Sequence, residues 1–193
     1  MTLSQYHQKY ASYSEEEILN RGIEKEKELE EIFSKVKLGM AHSEVLIAVL
    51  GCGDKRFLQI HKNIFSKFLD KPVRITTFDI TIEHLEGSEG VVCHDCTKPL
   101  PFGPYDITFA HVLLKFIETE KQWDVIKNSY DALREGGVAI HVMDKEDYET
   151  KEERLPNGQY AVPLKLYESK LQDAGVSFIE VPIKYGLALV IKK

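Results

Sequence analysis

The sequence lacks the long apolar runs of a membrane protein. None of its apolar stretches approaches the about 20 residues that a membrane-spanning helix needs, and the polar residues 1–17 contain no apolar signal region. Only three cysteines are present, which is too few for a disulfide framework, and nothing marks secretion. These absences favour a cytoplasmic protein that has no membrane partner.

An excess of positive charge is also missing. The 193 residues include 25 Lys and Arg against 31 Asp and Glu, a net charge of −6, which argues against bulk binding to nucleic acid. With 43% hydrophobic residues, the chain is long enough to bury a full core. We expect residues 44–193 to form one domain and residues 1–43 to be an N-terminal helical extension packed on it. The sequence does not indicate the oligomeric state.

The strongest pattern lies at residues 45–57, which read V-L-I-A-V-L-G-C-G-D-K-R-F. The unbroken apolar run is typical of a central parallel strand buried on both faces. The chain then turns through Gly51, Cys52 and Gly53 into a helix predicted over residues 55–69. Two glycines let the backbone approach a ligand closely, and the N–H groups at a helix start favour an anionic or strongly polar one. We therefore expect the functional site here.

Strands and helices alternate through the rest of the chain. Further strands are predicted at residues 73–80, 90–93, 105–110, 138–143, 176–183 and 187–191. Helices are predicted at residues 14–36, 113–133 with a C-terminal cap at 134–137, and 164–174. Residues 82–89 are predicted to be a short helix or a turn, and residues 144–163 a loop. The alternation predicts an α/β fold with a doubly wound, mostly parallel seven-stranded sheet. The last two strands are joined by three residues only, so we expect an antiparallel hairpin at one edge.

The N-terminal helix begins with the capping-box pattern Ser14 to Glu17. Apolar residues follow it at Ile18, Ile23, Leu29, Ile32, Phe33 and Val36. The charged residues 24–28 between them are interpreted as a solvated helix face. Tyr6, Tyr10 and Tyr13, ahead of this helix, either pack it on the domain or form an aromatic lid over a ligand site.

Three polar residues fall at or just after the ends of predicted strands: Asp79, Asp95 and His111. Ligands of doubly wound sheets bind outside the carboxyl ends of the strands, beside the first one, so we expect these residues to lie near the glycine turn. An ionised Asp accepts hydrogen bonds from two vicinal hydroxyls, and a His is a candidate general base. The simpler interpretations are a solvated strand end, a turn-forming Asp and a helix-start His.

Residues 93–96, C-H-D-C, look like half of a zinc site. No second cysteine pair exists to complete a tetrahedral site, so no metal is predicted. Asp144, Glu146, Asp147 and Glu149 follow the fifth predicted strand, and a solvated acidic loop is their simplest interpretation. If they are functional, their field favours a cationic or amine-bearing substrate.

Residues 43–193 resemble the class I S-adenosylmethionine-dependent methyltransferases. The features that match, in chain order, are the glycine-rich first turn, the acid that ends strand two, the Asp after strand three, Y-D-I-T-F-A-H at strand four, L-R-E-G-G before strand five and the terminal hairpin. The resemblance implies a Rossmann-like fold and S-adenosyl-L-methionine as the cofactor. It also implies an enzyme that transfers a methyl group by direct displacement.

The resemblance assigns roles to individual residues. Gly51, Cys52 and Gly53 would support the methionine part of the cofactor. Asp79, with Ile80 beside it, would bind the ribose hydroxyls, and Asp95 with Cys96 would face the adenine amino group. His111 would border the methionine part or the substrate, and it is the candidate catalytic base.

Two positions depart from the family pattern. Val49 stands where the family usually has an acid that orients the amino group of the cofactor, and Lys55 replaces the third glycine. Residues 110–113, A-H-V-L, stand where many enzymes that methylate exocyclic or amide nitrogens have Asn/Asp-Pro-Pro-Tyr. The atom of the acceptor that receives the methyl group can therefore be O, S, C or another kind of N.

The leading hypothesis is a methyltransferase that acts on an unidentified small-molecule or protein acceptor. The first alternative is a non-catalytic methyltransferase-like binding module, which Val49 and Lys55 favour. The second is a nicotinamide-nucleotide dehydrogenase, which is disfavoured because the third glycine of G-x-G-x-x-G is missing and because of the terminal hairpin.

Overall fold

The computed structural model of the chain describes residues 5–36, 38, 42–150, 152–155 and 158–193. The side chains of Gln5, Tyr6 and Lys9 are not among the described parts. The place of Tyr6 in an aromatic lid, and much of the predicted link at residues 38–43, therefore lie outside the described residues.

A seven-stranded sheet forms the centre of the molecule, in the order β3-β2-β1-β4-β5-β7-β6. Its strands are β1 (Val45–Leu50), β2 (Val73–Asp79), β3 (Val91–Cys93), β4 (Tyr105–His111), β5 (Leu133–Asp144), β6 (Ser177–Ile183) and β7 (Gly186–Lys192). The pairs among β1 to β5 are parallel, and β7 is antiparallel to both β5 and β6. The doubly wound, mostly parallel sheet with a terminal hairpin is thereby confirmed.

Helices cover both faces of this sheet. They are α1 (Gln5–Ala11), α2 (Glu15–Lys35), α3 (Arg56–Leu69), α4 (Thr119–Asp131), α5 (Lys145–Tyr148) and α6 (Leu164–Asp173). Apolar residues of α2 and α3 form one core with the sheet, and residues of α4 and α6 form the other. Within the described residues, none of the helices combines the length and apolar character that crossing a membrane requires.

The predicted capping box opens α2. The amide of Glu17 donates to Ser14 Oγ at 3.2 Å, and the amide of Ser14 donates to Glu17 Oε2 at 2.7 Å. The helix does not bury the predicted face, however. Ile23 is 43% exposed, whereas Lys25, Glu26 and Glu28 are partly buried, so the prediction that residues 24–28 form a solvated face is wrong at these three positions.

Two further predictions, both about the segment that joins β4 to β5, are wrong. Residues 134–137 belong to β5 and do not cap a helix, since α4 ends at Asp131 with Ala132 as its C-cap. A Cβ at Gly137 would lie 2.9 Å from the carbonyl oxygen of Asp106, so this glycine allows β4 and β5 to approach each other. The predicted helix over 113–133 is also interrupted: a short 3₁₀ helix, Leu114–Phe116, precedes α4.

The acidic stretch after β5 is not purely a loop. Asp144 is the N-cap of α5, and a reciprocal capping box joins it to Asp147. The side chain of Asp147 is 1% exposed and lies 3.1 Å from Lys115 Nζ. Lys115 Nζ also lies 2.7 Å from Asp144 Oδ2. Burial opposes charge on Lys115, but the carboxylates of Asp144 and Asp147 together outweigh that effect and raise the pKa of the ammonium.

Candidate functional site

The carboxyl ends of the parallel strands meet at one edge of the sheet. β1 pairs with β2 on one side and with β4 on the other, and the order of strands reverses at this point. The turn after β1 therefore lies between Asp79, which ends β2, and His111, which ends β4. Such a switch point is where doubly wound sheets bind their ligands.

The glycine turn at residues 51–53 is fixed by hydrogen bonds to β2. Gly51 has a φ of +76°, which favours glycine, and its amide donates to the carbonyl oxygen of Phe78 at 2.7 Å. The amide of Cys52 donates to Asp79 Oδ2 at 2.9 Å. Burial raises the pKa of the Cys52 thiol to about 12, so this thiol stays protonated at neutral pH and is not a nucleophile.

Asp79 is an enclosed carboxylate, only 6% exposed. Besides the Cys52 amide it accepts a hydrogen bond from the amide of Thr81 at 3.2 Å. His7 Nε2 and His84 Nε2 lie 3.8 Å and 4.0 Å from its Oδ2. Burial acts to raise the pKa of Asp79, but His7 and the two amides outweigh burial and lower it. Asp79 is therefore ionised at neutral pH.

Helix α1 lies over Asp79 through His7. The His7 ring stacks on the His84 ring with centroids 4.0 Å apart, and His84 Nε2 lies 2.6 Å from the carbonyl oxygen of Cys52. These two histidines and Asp79 form a group that could hold a metal ion. The lone pairs of two nearly parallel rings cannot both point at one ion. We therefore interpret His7 and His84 as side chains that shield Asp79 from solvent.

Arg56, in the first turn of α3, holds the N-terminal helices against the site. Its guanidinium donates to the Asp54 carboxylate at 2.7 and 2.9 Å. It also donates to the carbonyl oxygens of Tyr10 and Tyr13 at 3.1 and 2.9 Å. The rings of both tyrosines pack in one cluster with Phe57. At Tyr10 and Tyr13 the geometry therefore fits packing of the N-terminal segment on the domain.

Asp95 and its neighbours lie beyond β3. Asp95 Oδ1 accepts hydrogen bonds from the amide and the hydroxyl of Thr97 at 2.9 and 2.8 Å. Burial acts to raise the pKa of Asp95, but these two bonds, with the nearby Lys98 and His94, outweigh it and lower the pKa. The bonds of Asp95 Oδ1 to Thr97 thus fit the simpler interpretation of Asp95 as a turn-forming residue. Cys96 is buried, whereas Ile80, beside Asp79, is 66% exposed.

His111 is held by a residue that sequence reasoning placed in solvent. Glu28 Oε2 lies 2.8 Å from His111 Nε2. Because an ionised carboxylate can only accept, Nε2 carries the proton and Nδ1 carries the lone pair. Burial lowers the pKa of His111, the charge of Lys25 adds to this effect, and Glu28 opposes it. Val112 follows with a φ of +55°, a strained conformation for a β-branched residue that is typical of functional sites.

Lys25 lies on the same face of α2 as Glu28. Its Nζ is 5.2 Å from the centre of the Phe57 ring, and burial lowers its pKa to about 8, with Glu28 opposing the shift. In the part of the chain that the structure describes, Lys25 forms this cation–π contact and no ion pair. A partly buried cation with no anionic partner indicates a place for an anionic ligand group.

Several buried polar atoms near this edge have no hydrogen-bond partner among the described residues. They include Thr81 Oγ1, His84 Nδ1 and His94 Nε2, which follow β2 and β3. Unsatisfied buried polar atoms are rare in proteins, and a bound polar ligand or water is a usual reason for them. The positions beside Asp79 and Asp95 therefore fit a polar ligand.

A cavity of about 830 Å³ lies beside the end of β5 and the β6–β7 hairpin. Its lining is strongly acidic and consists of Asp144, Lys145, Glu146, Glu149, Thr150, Glu152, Leu155 and Tyr185. Clefts lined by charge of one sign focus the electrostatic field and concentrate ions of the opposite charge.

No protein-family model and no curated protein matches the sequence, but solved structures match the fold. DesVI from Streptomyces venezuelae superposes over 100% of both chains with a TM-score of 0.67 and 11% identity. The sugar N-methyltransferase KedS8 from Streptoalloteichus covers 93% of each chain, with a TM-score of 0.61 and 11% identity. A LepI variant in complex with SAH and a substrate analogue matches 83% of this chain, with a TM-score of 0.57 and 12% identity.

The chain spans about half the length of LepI, 46%. The matches to DesVI and KedS8 extend over nearly the whole of both chains. The protein therefore has the Rossmann-like fold of the class I S-adenosylmethionine-dependent methyltransferases. This confirms the fold that the resemblance implied, and the roles of individual site residues stay predictions.

Proposed function

We propose that the protein is an S-adenosylmethionine-dependent methyltransferase that methylates an amine of a small molecule. The observation that carries this proposal is the convergence, at one sheet edge, of the glycine turn, Asp79, Asp95 and the Glu28–His111 pair. The solved structures of similar fold support it, since one of them holds SAH, the demethylated cofactor S-adenosylhomocysteine, and another is a sugar N-methyltransferase.

The residues at the site fit such a cofactor. Gly51, Cys52 and Gly53 would support its methionine part. Asp79, next to Ile80, is ionised and would accept from the ribose hydroxyls, because a carboxylate offers about four acceptor positions and the two amides use only part of them. Asp95 and Cys96 would face the adenine. His7 lies against the same carboxylate, so ribose binding requires α1 to move outward.

The bound cofactor would supply an electrophilic methyl group. The chain's own contribution is to align the acceptor and to remove a proton from it. His111 is neutral at pH 7 because its pKa is lowered, and its Nδ1 has the free lone pair. Nδ1 would take one proton from the ammonium group of the acceptor, so that the nitrogen has a free electron pair when it receives the methyl group. Glu28 would orient the ring and stabilise the imidazolium.

The acidic cavity supports an amine as the acceptor group. Its carboxylates at Asp144, Glu146, Glu149 and Glu152 would attract a cationic molecule from solution. Its size suits a small molecule, since ligand cavities of roughly 300–1,000 Å³ are typical for such ligands. Asp144 ends β5, next to the strand that ends in His111, so an acceptor in this cavity would lie near the proposed base.

A binding module without turnover is the second candidate function. Val49 favours it, because this residue is 1% exposed and supplies no carboxylate beside the glycine turn. Leu113 favours it too, since its Cδ1 would lie 2.9 Å from a Cβ at Gly51 and so covers that side of the turn. Lys55 does not favour it, because its side chain is exposed.

Production of S-adenosylhomocysteine, measured by mass spectrometry, separates the two candidates. The protein is incubated with S-adenosylmethionine and a panel of small amines, with the corresponding alcohols as controls. We expect product with an amine and a strong loss of product in His111→Ala. Cofactor binding without transfer to any acceptor in the panel would favour the binding module, and transfer to alcohols only would contradict the amine acceptor.

A further inference from the structure

Lys25 and Glu28 are two charged residues on the inward face of a helix. They are three residues apart on α2, so they lie on one side of it, and Leu29 and Ile32 on the same side are fully buried in the core. Positions on this core-facing side of a helix are ordinarily apolar. Charged side chains here require a polar partner, which for Glu28 is His111 at 2.8 Å.

Among the described residues, Lys25 has no hydrogen bond or ion pair, and it makes a cation–π contact with Phe57. Phe57 belongs to the first turn of α3, directly after the glycine turn. The charge of Lys25 also acts on Cys52, within that turn, and on His111, at the end of β4. The ammonium group of Lys25 therefore lies close to the glycine turn and to the end of β4.

We infer that Lys25 binds the carboxylate, and Glu28 the ammonium group, of the methionine part of the cofactor. This inference rests on the proposed function. Glu28 uses Oε2 for His111, so its second oxygen is available to an ammonium group. It would supply from α2 the acid that resembling methyltransferases have two residues before the first glycine, where this chain has the buried Val49.

The charges at the site match those of the ligand. A methionine moiety is a zwitterion, and the two opposite charges of Lys25 and Glu28 lie side by side on α2. The lowered pKa of Lys25, about 8, agrees with this role, because a bound carboxylate would replace the solvation that burial removes. Asp144 and Arg21 also act on this ammonium, with opposite signs.

The test compares two ligands by calorimetry. S-adenosylhomocysteine contains the amino-acid group, and 5′-methylthioadenosine contains the same adenosine and thioether without it. We expect Lys25→Met and Glu28→Gln each to weaken binding of S-adenosylhomocysteine at least about tenfold, the usual effect of losing a charged hydrogen bond. Binding of 5′-methylthioadenosine should change less than about twofold.

Lys27→Met and Glu30→Gln are the matched controls, because both residues are exposed on the same helix, and they should leave both affinities unchanged. Circular dichroism and thermal melts verify that all four variants fold. Unchanged S-adenosylhomocysteine binding in Lys25→Met, or an equal loss for both ligands, would overturn the inference and leave the proposed function standing. Failure of the unaltered protein to bind either ligand would instead overturn the proposed function, and the inference with it.

Discussion

Glu28 Oε2 lies 2.8 Å from His111 Nε2, although the two residues are 83 positions apart in the chain. The contact joins α2 to the end of β4, so the N-terminal helical segment contributes a side chain to the proposed catalytic centre. It also fixes the tautomer of His111, because the carboxylate can only accept a hydrogen bond. The N-terminal extension is therefore part of the proposed site.

Replacing Glu28 by Gln should lower the pKa of His111 further. Glu28 acts to raise this pKa, against burial and the charge of Lys25, so its neutralisation leaves only the weaker effect of Asp144 to oppose them. The pKa can be measured by NMR from the His111 ring protons, without knowledge of the acceptor. Glu30→Gln, at an exposed position of the same helix, should leave it unchanged, and an upward shift in Glu28→Gln would contradict the pairing.

Acid should destabilise the protein through buried histidines. Burial lowers the pKa of His141 to about 4, and it also lowers the pKa values of His61 and His111. The folded state disfavours the protonated form, so the stability from these groups is present above the ordinary pKa of about 6.5. It is lost as the pH falls below that value. His141 alone should reduce the free energy of unfolding by roughly 2 kcal/mol between pH 7 and pH 5.

Denaturant unfolding of His141→Gln at the two pH values tests this expectation. The variant should lose about 2 kcal/mol less between pH 7 and pH 5 than the unaltered protein does. His42→Gln, at an exposed position, should keep the full dependence. Equal pH dependence in the unaltered protein and in His141→Gln would show that His141 does not supply it.

Lys115→Met should strongly destabilise the fold. The Lys115 side chain is 8% exposed and lies 3.1 Å from Asp147, which is 1% exposed. Removing the cation leaves a buried carboxylate without its partner, which typically costs roughly 3–5 kcal/mol. Lys121→Met removes an exposed ion pair with Glu118 and should change the unfolding free energy by less than about 1 kcal/mol. Similar losses in the two variants would contradict a structural role for Lys115.

His7→Ala should speed the binding of S-adenosylhomocysteine. His7 lies 3.8 Å from Asp79, and its removal exposes the carboxylate that would bind the ribose. Stopped-flow fluorescence measures the association rate, and His42→Ala is the control. A slower association in His7→Ala would contradict this expectation and show that His7 helps to hold the ligand.

Asp79→Asn, which keeps an acceptor for the Cys52 amide, should fold normally and weaken the affinity for S-adenosylhomocysteine at least about tenfold.

The architecture could be predicted from the sequence because its determinants are local. An apolar run followed by Gly51 and Gly53 specifies a buried strand and a tight turn. The short link between the last two strands allows only a hairpin. The capping box at Ser14 fixed the start of α2 within one residue. Errors arose where one residue type has two uses, as at Gly137, which permits close strand packing and does not end a helix.

The inward charges of α2 were missed because residue type was given more weight than position. The stripe Ile18, Gly22, Lys25, Leu29, Ile32 advances by four and three residues and is buried or partly buried throughout. Following this spacing would have placed Lys25 inside and Ile23 outside. The position of His7 on Asp79 and the bonds of Arg56 to Tyr10 and Tyr13 depend on contacts between distant segments. No local pattern in the sequence encodes those contacts.

Thermal melting with and without cofactor tests the central claim most directly. At an excess of about 100-fold over the dissociation constant, a bound ligand stabilises the folded state by roughly 2.7 kcal/mol. Each kcal/mol raises the melting temperature of a domain of this size by about 2–4 °C. S-adenosylmethionine and S-adenosylhomocysteine should therefore each raise it by several degrees, and NAD should not. An unchanged melting temperature with millimolar amounts of both ligands, confirmed by calorimetry, would contradict the methyltransferase function.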